Sequence, residues 1–427
     1  MNMKIKELGV GDKVKLQAKD KEWVGWILES YDPEVVLLKL ESGYNIGIKE
    51  EDILSVRILE KSKVQEKKKP SLQENKSLPN VAMIITGGTI SARLDPKTGG
   101  VIWTDAEEIL NIAPEISKIC NIAKIEEPFK MASEDMSFKD WKILAETAER
   151  LLNTDSISGV IITHGTDFLH YSASALSFML GKLNKPVALT YSQRSIDRGS
   201  TDAELNLISA AKYAVSDIAE VAVVGHKDLN DKICQAMPGT KVRKMHTSRR
   251  DAFKVINSEP FAEISGKEFR ILREFNARNK NKVKADTSFN ENIALLQVYP
   301  GQDPAIIEYL AGEGYKGIVL GVSGLGHVPW EKGRFNWLPK IKKAIDSGVI
   351  ICAAAQTFYG RLNPKVYSPG REFEKTGTIF LKDMLPETAF TKLGYALGKS
   401  KKNLSKAREI MLTNLAGEFN DRIGFDF

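Results

Sequence analysis

From Val81 onward the chain repeats one pattern, a short and continuously apolar run followed by a longer amphipathic stretch. The runs VAMIIT, SGVIIT, KPVALTY, EVAVVG, ENIALLQVYP, GIVLGVSG and GVIICAAAQ lack the apolar–polar alternation of a strand with one wet face. Strands buried on both faces read this way, because a parallel sheet is covered by its own crossover helices. Stretches such as FKDWKILAETAERLL supply those helices. This part of the chain is therefore constrained to a layered α/β fold built on parallel sheet. A charged interval beginning EFRILREFNARNK at Glu268 interrupts the alternation and divides the body into domains spanning 80–270 and 290–427.

The residues ahead of the body obey a different rule. KVKLQ, WVGWILES, EVVLLKLESG, YNIGI and ILSVRIL are short β runs separated by turn pairs such as Asp32-Pro33 and Ser42-Gly43. Five strands within residues 1–60 predict a small closed all-β barrel of the SH3 or Tudor kind. Residues 61–79, rich in Lys, Glu, Gln and Ser and without an aromatic, bury too little to offset their ordering entropy and read as a flexible linker. The lysine run at 67–69 is expected to be a solvated tether. Through Asn80 the chain carries 15 Lys+Arg against 14 Asp+Glu, so the electrostatic case for nucleic-acid binding by the barrel is weak and an adaptor role is expected.

Composition excludes several classes. At 427 residues the chain predicts two or three folded units. It holds no apolar run of the roughly 20 residues that span a bilayer, and its N-terminus lacks a signal core, so no membrane role and a cytoplasmic address are expected. Cys120, Cys234 and Cys352 lie far apart and read as buried thiols. The five histidines show no paired ligand spacing, so no metal is expected. A net charge of +6 permits an RNA partner without establishing one.

Two of the apolar strands end in matching turns, TGGTI at 86–90 and THGTD at 163–167. Ligands of parallel sheets bind at the carboxyl ends of strands, where both turns fall. Glycines let backbone amides approach a ligand, and such amides stabilise an oxyanion. A phosphate cradle is the weaker alternative, since neither GxxxxGK[ST] nor GxGxxG spacing is present. A threonine hydroxyl attacks only once something takes its proton. Asp167 follows Thr166 directly, and GTKVRKMHTSRRDAF offers Lys244, ahead of a helix-like segment, although spacing alone does not separate it from Lys241. The plain alternative is that Thr89 and Thr166 are N-caps. His164 is expected to be a packed, hydrogen-bonded side chain.

ITGGTI at 85–90, ITHGTD at 162–167 and KMHTSRRDAF at 244–253, taken together, resemble the bacterial-type L-asparaginases over about residues 80–427. That resemblance implies an asparaginase/glutaminase-like body of two domains. It implies Thr89 as nucleophile forming an acyl-enzyme, with Thr166, Asp167 and Lys244 as a second triad for proton transfer and water. Gly88, Ser133 and the adjacent Glu134 are implied on the substrate side. His327, in GVSGLGHVP, stands where the family has a substrate-side Asn.

The barrel ahead of the body, the string LESGYNIGI, the insertion QTFYGRLNPKVYSPGRE at 356–372 and the tail beginning MLPETAFTKLGYALG resemble more narrowly the D-subunit family of the archaeal glutamyl-tRNA(Gln) amidotransferases. This implies hydrolysis of glutamine or asparagine and release of ammonia to an E subunit. The E subunit uses ATP and Mg²⁺ and holds Glu-tRNA(Gln), while this chain carries no cofactor. It implies a homodimer of this chain within an α2β2 assembly. Tyr359 and Arg361 lie in the insertion, which is read as an exposed loop or a partner-docking loop. One departure concerns the lid tyrosine of simple asparaginases: there is no Tyr between Tyr44 and Tyr171, and SARLDPKTGGVIW with the residue after it offers only Thr98 and Thr104 as hydroxyls beyond Ser91. The isolated chain is therefore expected to hydrolyse amides poorly until a partner docks. A free-standing L-asparaginase is the second reading, and a scaffold that has lost catalysis is the third.

Overall fold

The computed structural model describes residues 8–423 apart from 29, 31, 33, 42–44, 62–74, 95–100, 199, 267 and 402. Pro33, Ser42, Gly43, the lysine run at 67–69 and Thr98 thus lie outside the described residues.

The N-terminal strands are β1 (Lys13–Ala18), β2 (Glu22–Leu28), β3 (Val35–Leu40), β4 (Asn45–Lys49) and β5 (Ile53–Glu60). They form one antiparallel sheet in the order β4-β3-β2-β1-β5. Alternate residues point inward, so Val14, Leu16, Ile27, Leu38, Ile48 and Val56 meet in one buried cluster. A core fed by every strand requires the sheet to curl upon itself. Its two edge strands, β4 and β5, are joined by a 3₁₀ turn at Glu50–Asp52 and share no ladder among the described residues, so packing rather than edge pairing rounds the module.

The body opens with β6 (Asn80–Ile85), a short hairpin of β7 (Ala92–Leu94) and β8 (Val101–Trp103), α1 (Ala106–Asn111) and β9 (Asn121–Glu126). It continues through α2 (Phe138–Leu152), β10 (Ile157–Thr163), α3 (Leu169–Leu180), β11 (Val187–Thr190), α4 (Ala203–Ala214) and β12 (Val221–His226). Helix α2 shows why these segments are helical. Ser137 and Asp140 form a capping box, and Trp141, Leu144, Ala145, Ala148, Leu151 and Leu152 fall on one buried face. Five further strands follow: β13 (Ile233–Pro238), β14 (Val242–Lys244), β15 (Phe253–Val255), β16 (Ala262–Ser265) and β17 (Phe269–Ile271).

The main sheet has eight strands in the order β17-β16-β13-β12-β11-β10-β6-β9. The half from β9 to β12 is parallel, whereas β13, β16 and β17 extend it antiparallel. The parallel expectation therefore holds for the apolar runs and fails at this edge. The extra strands, ICQAMP, AEIS and FRI, mix polar with apolar residues and connect through turns or, from β13 to β16, through the β14–β15 hairpin rather than through crossover helices. The charged interval at Glu268 accordingly begins with a strand.

The second domain comprises β18 (Ile293–Gln297), α5 (Ala305–Gly312), β19 (Gly317–Val322), α6 (Leu338–Asp346), β20 (Ile350–Ala355), α7 (Ser368–Lys375), β21 (Ile379–Phe380), α8 (Pro386–Ser400) and α9 (Leu404–Leu412). Its four strands are parallel in sequence order. Helix α8 lies along α3 of the first domain, where Ser174 Oγ and Thr391 Oγ1 are 2.7 Å apart and the rings of Phe178 and Tyr395 stack at 6.2 Å.

Candidate active site

Strands β6 and β10 are parallel neighbours, with Ile85 level with Thr163, so the TGGTI and THGTD turns leave the sheet side by side. The first is tied to the second by Thr86, whose N–H and Oγ1 both donate to the Thr163 carbonyl, at 3.3 and 2.8 Å. Gly88 takes φ +80°, and a Cβ on it would sit 2.4 Å from Gly165 Cα. A Cβ on Gly165 would in turn lie 3.0 Å from Ser133. Only glycine permits this approach, and it draws three loops around one point. The third loop is MASED: the Met131 N–H donates to the Thr86 carbonyl at 3.0 Å, and Ser133 Oγ accepts from the Phe168 N–H at 3.2 Å.

Thr89 follows this contact at the head of a 3₁₀ turn, half-buried, and its hydroxyl has no hydrogen bond among the described residues. It is not an N-cap, since Gly88 occupies that place. Thr166 does not cap α3 either, because Phe168 precedes that helix and makes no side-chain cap. The Thr166 hydroxyl instead accepts from Lys244 Nζ at 2.9 Å, and the same Nζ stands 2.9 Å from Asp167 Oδ1. Lys244 is 10% exposed and Asp167 61% exposed, so the ion pair has one dry and one wet end.

The two lysines occupy different places. Lys241 is fully buried and paired at 2.6 Å with Asp383, whereas Lys244 points at the threonine turn. The helix expected after Lys244 is absent. Lys244 ends β14, and the chain returns through a turn to β15, opposite which Lys244 pairs with Phe253. The turn is closed by the Met245 N–H donating to the Ala252 carbonyl at 2.6 Å and by His246 Nδ1 accepting from the Ser248 and Arg249 N–H groups.

Ser133 is buried and Glu134 exposed, the Ser133 hydroxyl donating weakly to Glu134 Oε2 at 3.4 Å. His164 is fully buried, and its Nδ1 meets the Gly165 carbonyl at 2.7 Å. Burial lowers its pKa to about 4, so it is a neutral packing residue. His170 is lowered to about 3 by burial first and then by Arg243 and Lys244. Thr104 is buried with its hydroxyl unpartnered among the described residues, while its N–H donates to the Ser91 carbonyl in the turn that Thr89 heads at 2.8 Å. His327 sits beyond β19 against Tyr367, with ring centroids 5.5 Å apart. Tyr359 is exposed, and Arg361 donates to the Asp421 carbonyl. The three cysteines are buried, and burial raises each thiol to about 12. Among the described residues no His, Cys, Asp and Glu cluster could hold a metal, and no helix is long and apolar enough to cross a membrane.

Sequence reading missed Gly165 as the point of contact, Thr163 as the clamp on Thr86, and Arg243 beside Lys244. The glycine in each threonine turn was the one available signal for the first. The others depend on strand pairing that the sequence does not print.

Comparison with known proteins places three family models along the chain: GatD N-terminal domain at 8–59, Asparaginase, N-terminal at 80–277, and Glutaminase/Asparaginase C-terminal domain at 292–411. The chain is 44% identical to the D subunit of the glutamyl-tRNA(Gln) amidotransferase of Thermococcus kodakarensis, over 98% of this chain and 96% of that one. It is 40% identical to the D subunit from Methanococcus maripaludis, over 98% and 100%. Among solved structures it resembles the thermostable L-asparaginase of Thermococcus kodakarensis, with TM-score 0.71 and 28% identity over 80% of this chain and 100% of that one. The L-asparaginase I of Vibrio cholerae gives TM-score 0.69 and 28% identity over 80% and 99%.

Proposed function

The chain belongs to the D-subunit family of the glutamyl-tRNA(Gln) amidotransferases, and from that premise we infer that it is the amidohydrolase subunit of a tRNA-dependent amidotransferase, releasing ammonia from glutamine or asparagine. The observation that carries the chemistry is Lys244 Nζ, 2.9 Å from both Thr166 Oγ1 and Asp167 Oδ1, beside the glycine contact that presents Thr89.

In this reading Thr89 Oγ attacks the side-chain carbonyl of the amide donor. Its proton passes to the departing nitrogen, which leaves as ammonia, and an ester on Thr89 remains. Water then attacks that ester. The Thr166 hydroxyl takes the water's proton as it hands its own to Lys244 in the amine form, which Asp167 orients, and Lys244 returns that proton through Thr166 to Thr89 Oγ as the acid product departs. Backbone amides of the two glycine turns face the developing oxyanion. Ser133 and Glu134 hold the donor's α-carboxylate and α-amino group, with Gly88 close enough for its backbone to touch the substrate.

The ammonia goes to an E subunit, which spends ATP with Mg²⁺ to amidate Glu-tRNA(Gln), and this chain pairs with itself within the assembly. A free-standing L-asparaginase is less supported, because the asparaginase structures cover 80% of this chain and residues 8–59 match a domain named for the amidotransferase. The test is ammonia release from glutamine and asparagine by the chain alone and co-purified with an E subunit, with Thr89→Ala as control, together with conversion of Glu-tRNA(Gln) to Gln-tRNA(Gln). Thr89→Ala should abolish both. Release equal in Thr89→Ala and parent would defeat the threonine mechanism. Absence of Gln-tRNA(Gln) with a competent partner would leave the simple asparaginase.

A further inference from the structure

Arg243 precedes Lys244 on the three-residue strand β14. Neighbouring strand residues face opposite ways, so Lys244 reaches Thr166 and Asp167 while Arg243 turns to the second domain. There its guanidinium lies over the ring of Phe358, Cζ 4.2 Å from the centroid, and its Nη2 stands 2.7 Å from Glu387 Oε1. Glu387 belongs to the first turn of α8 and is buried, and its second oxygen has no hydrogen-bond partner among the described residues. Phe358 lies in the loop between β20 and α7 and is 39% exposed. The next turn of that loop is fastened to the end of the same hairpin, since Asn257 Nδ2 donates to the Gly360 carbonyl and the Gly360 N–H donates to Asn257 Oδ1, both at 3.0 Å.

A hairpin of two three-residue strands has few ladder bonds of its own to fix the direction of a lysine with four rotatable bonds. The second domain supplies that constraint one residue away. We propose that Arg243 is a positioning residue for Lys244, held between the Phe358 ring and the Glu387 carboxylate, so that the β20–α7 loop sets the alignment of the proton relay at Thr166. The inference rests on the amidohydrolase reading above. It assigns that loop a part in turnover that needs no contact with substrate. One cation thus answers to two groups of the second domain, the ring through its π face and the carboxylate through a charge-assisted hydrogen bond.

The test uses the full-length chain co-purified with its E subunit and follows ammonia release from glutamine. Phe358→Ala removes a half-exposed ring from the surface and leaves the core intact. It should lower kcat about tenfold while KM stays within about twofold, the pattern of a misaligned proton relay. Phe358→Tyr keeps the ring face and should restore kcat. Arg243→Gln removes the cation from the ring and keeps a donor for Glu387; it should fall as far as Phe358→Ala, and the double variant no further, because both remove the same contact. The proposal is overturned if Phe358→Ala retains parental kcat, if its loss lies in KM, if Phe358→Tyr does not rescue, or if the two losses multiply in the double variant. Each of these outcomes leaves the amidohydrolase reading standing. A parent that releases no more ammonia than Thr89→Ala would instead remove the reading itself and this inference with it.

Discussion

A lysine shared between a hydroxyl and a carboxylate divides its work between chemistry and alignment, and the two can be separated by substitution. Thr166→Val preserves the shape of the side chain and deletes the oxygen that lies 2.9 Å from Lys244. Ammonia release should then fall by about 10² to 10⁴, the usual worth of a positioned proton-transfer group, with the loss in kcat. A steady-state assay that finds less than a tenfold change would remove Thr166 from the relay. His164, one residue from the contact glycine, makes a separate prediction about stability. Its folded pKa is about 4 against an ordinary 6.5, the cause being burial. Between those values the unfolded chain takes up a proton that the folded chain refuses, so stability falls as pH drops through that window and the effect levels off below it. The contribution is about 3 kcal/mol. Urea unfolding of the parent from pH 7 to pH 4 should show this decline, and His164→Gln should show less of it. Equal slopes in the two proteins would mean that His164 is protonated in the fold.

The loops that meet at Gly88 act as one element, although they come from three places in the sequence. Gly88→Ala would need φ near +80° and would drive a Cβ to 2.4 Å from Gly165 Cα, and neither turn can retreat because Thr86 is bonded to Thr163. The substitution should destabilise the body by about 2 kcal/mol or more and silence ammonia release with Thr89 intact. A thermal melt and activity assay that both match the parent would show the turns to be looser than their contacts. This element also shows what the sequence could and could not reveal. Both glycine-threonine turns were legible because each follows a continuous apolar run, VAMII and SGVII, whose end has to be a strand end. The barrel strands were legible for the same kind of reason, alternation bounded by turn pairs. The antiparallel strands β13, β16 and β17 were not, since their mixed composition carries no period of its own and their existence depends on the exposed edge of β12. Lys244 was visible only as one of two lysines, because a three-residue strand is too short to have a periodicity. The segment after it looked helical, yet the Met245–Ala252 bond and the backbone bonds to His246 fold it back as a turn.

At the scale of the molecule, the two sheets are joined where the sequence looks least suited to joining them, through charged side chains. Lys241 in the first domain and Asp383 in the second are both fully buried and 2.6 Å apart. Asp383 also accepts from the Asn420 backbone and side chain, each at 2.9 Å. Lys392 and Glu418 form a second buried pair nearby, and Thr240 Oγ1 donates to the Ala416 carbonyl at 2.9 Å. The C-terminal segment is thereby stitched beneath β14, the strand that ends in Lys244. Burial lowers the pKa of Lys241 while Asp383 pulls the other way, so the cation persists only with its partner in place. Lys241→Met would leave the Asp383 carboxylate in a dry interface without its counterion, and the cost should be about 3–5 kcal/mol. Replacing both, as Lys241→Met with Asp383→Asn, removes the unpaired charge while the amide oxygen still accepts from Asn420, and should recover most of that loss. The single variant should also lose ammonia release at denaturant concentrations where the secondary structure is intact, since the seam it opens is the one that holds the β14–β15 hairpin against the second domain. Parallel urea titrations followed by circular dichroism and by activity would display that separation. If Lys241→Met cost under 1 kcal/mol, or if the double variant were no more stable than the single, the seam would owe its strength to the packing of α3 on α8 rather than to the buried pair.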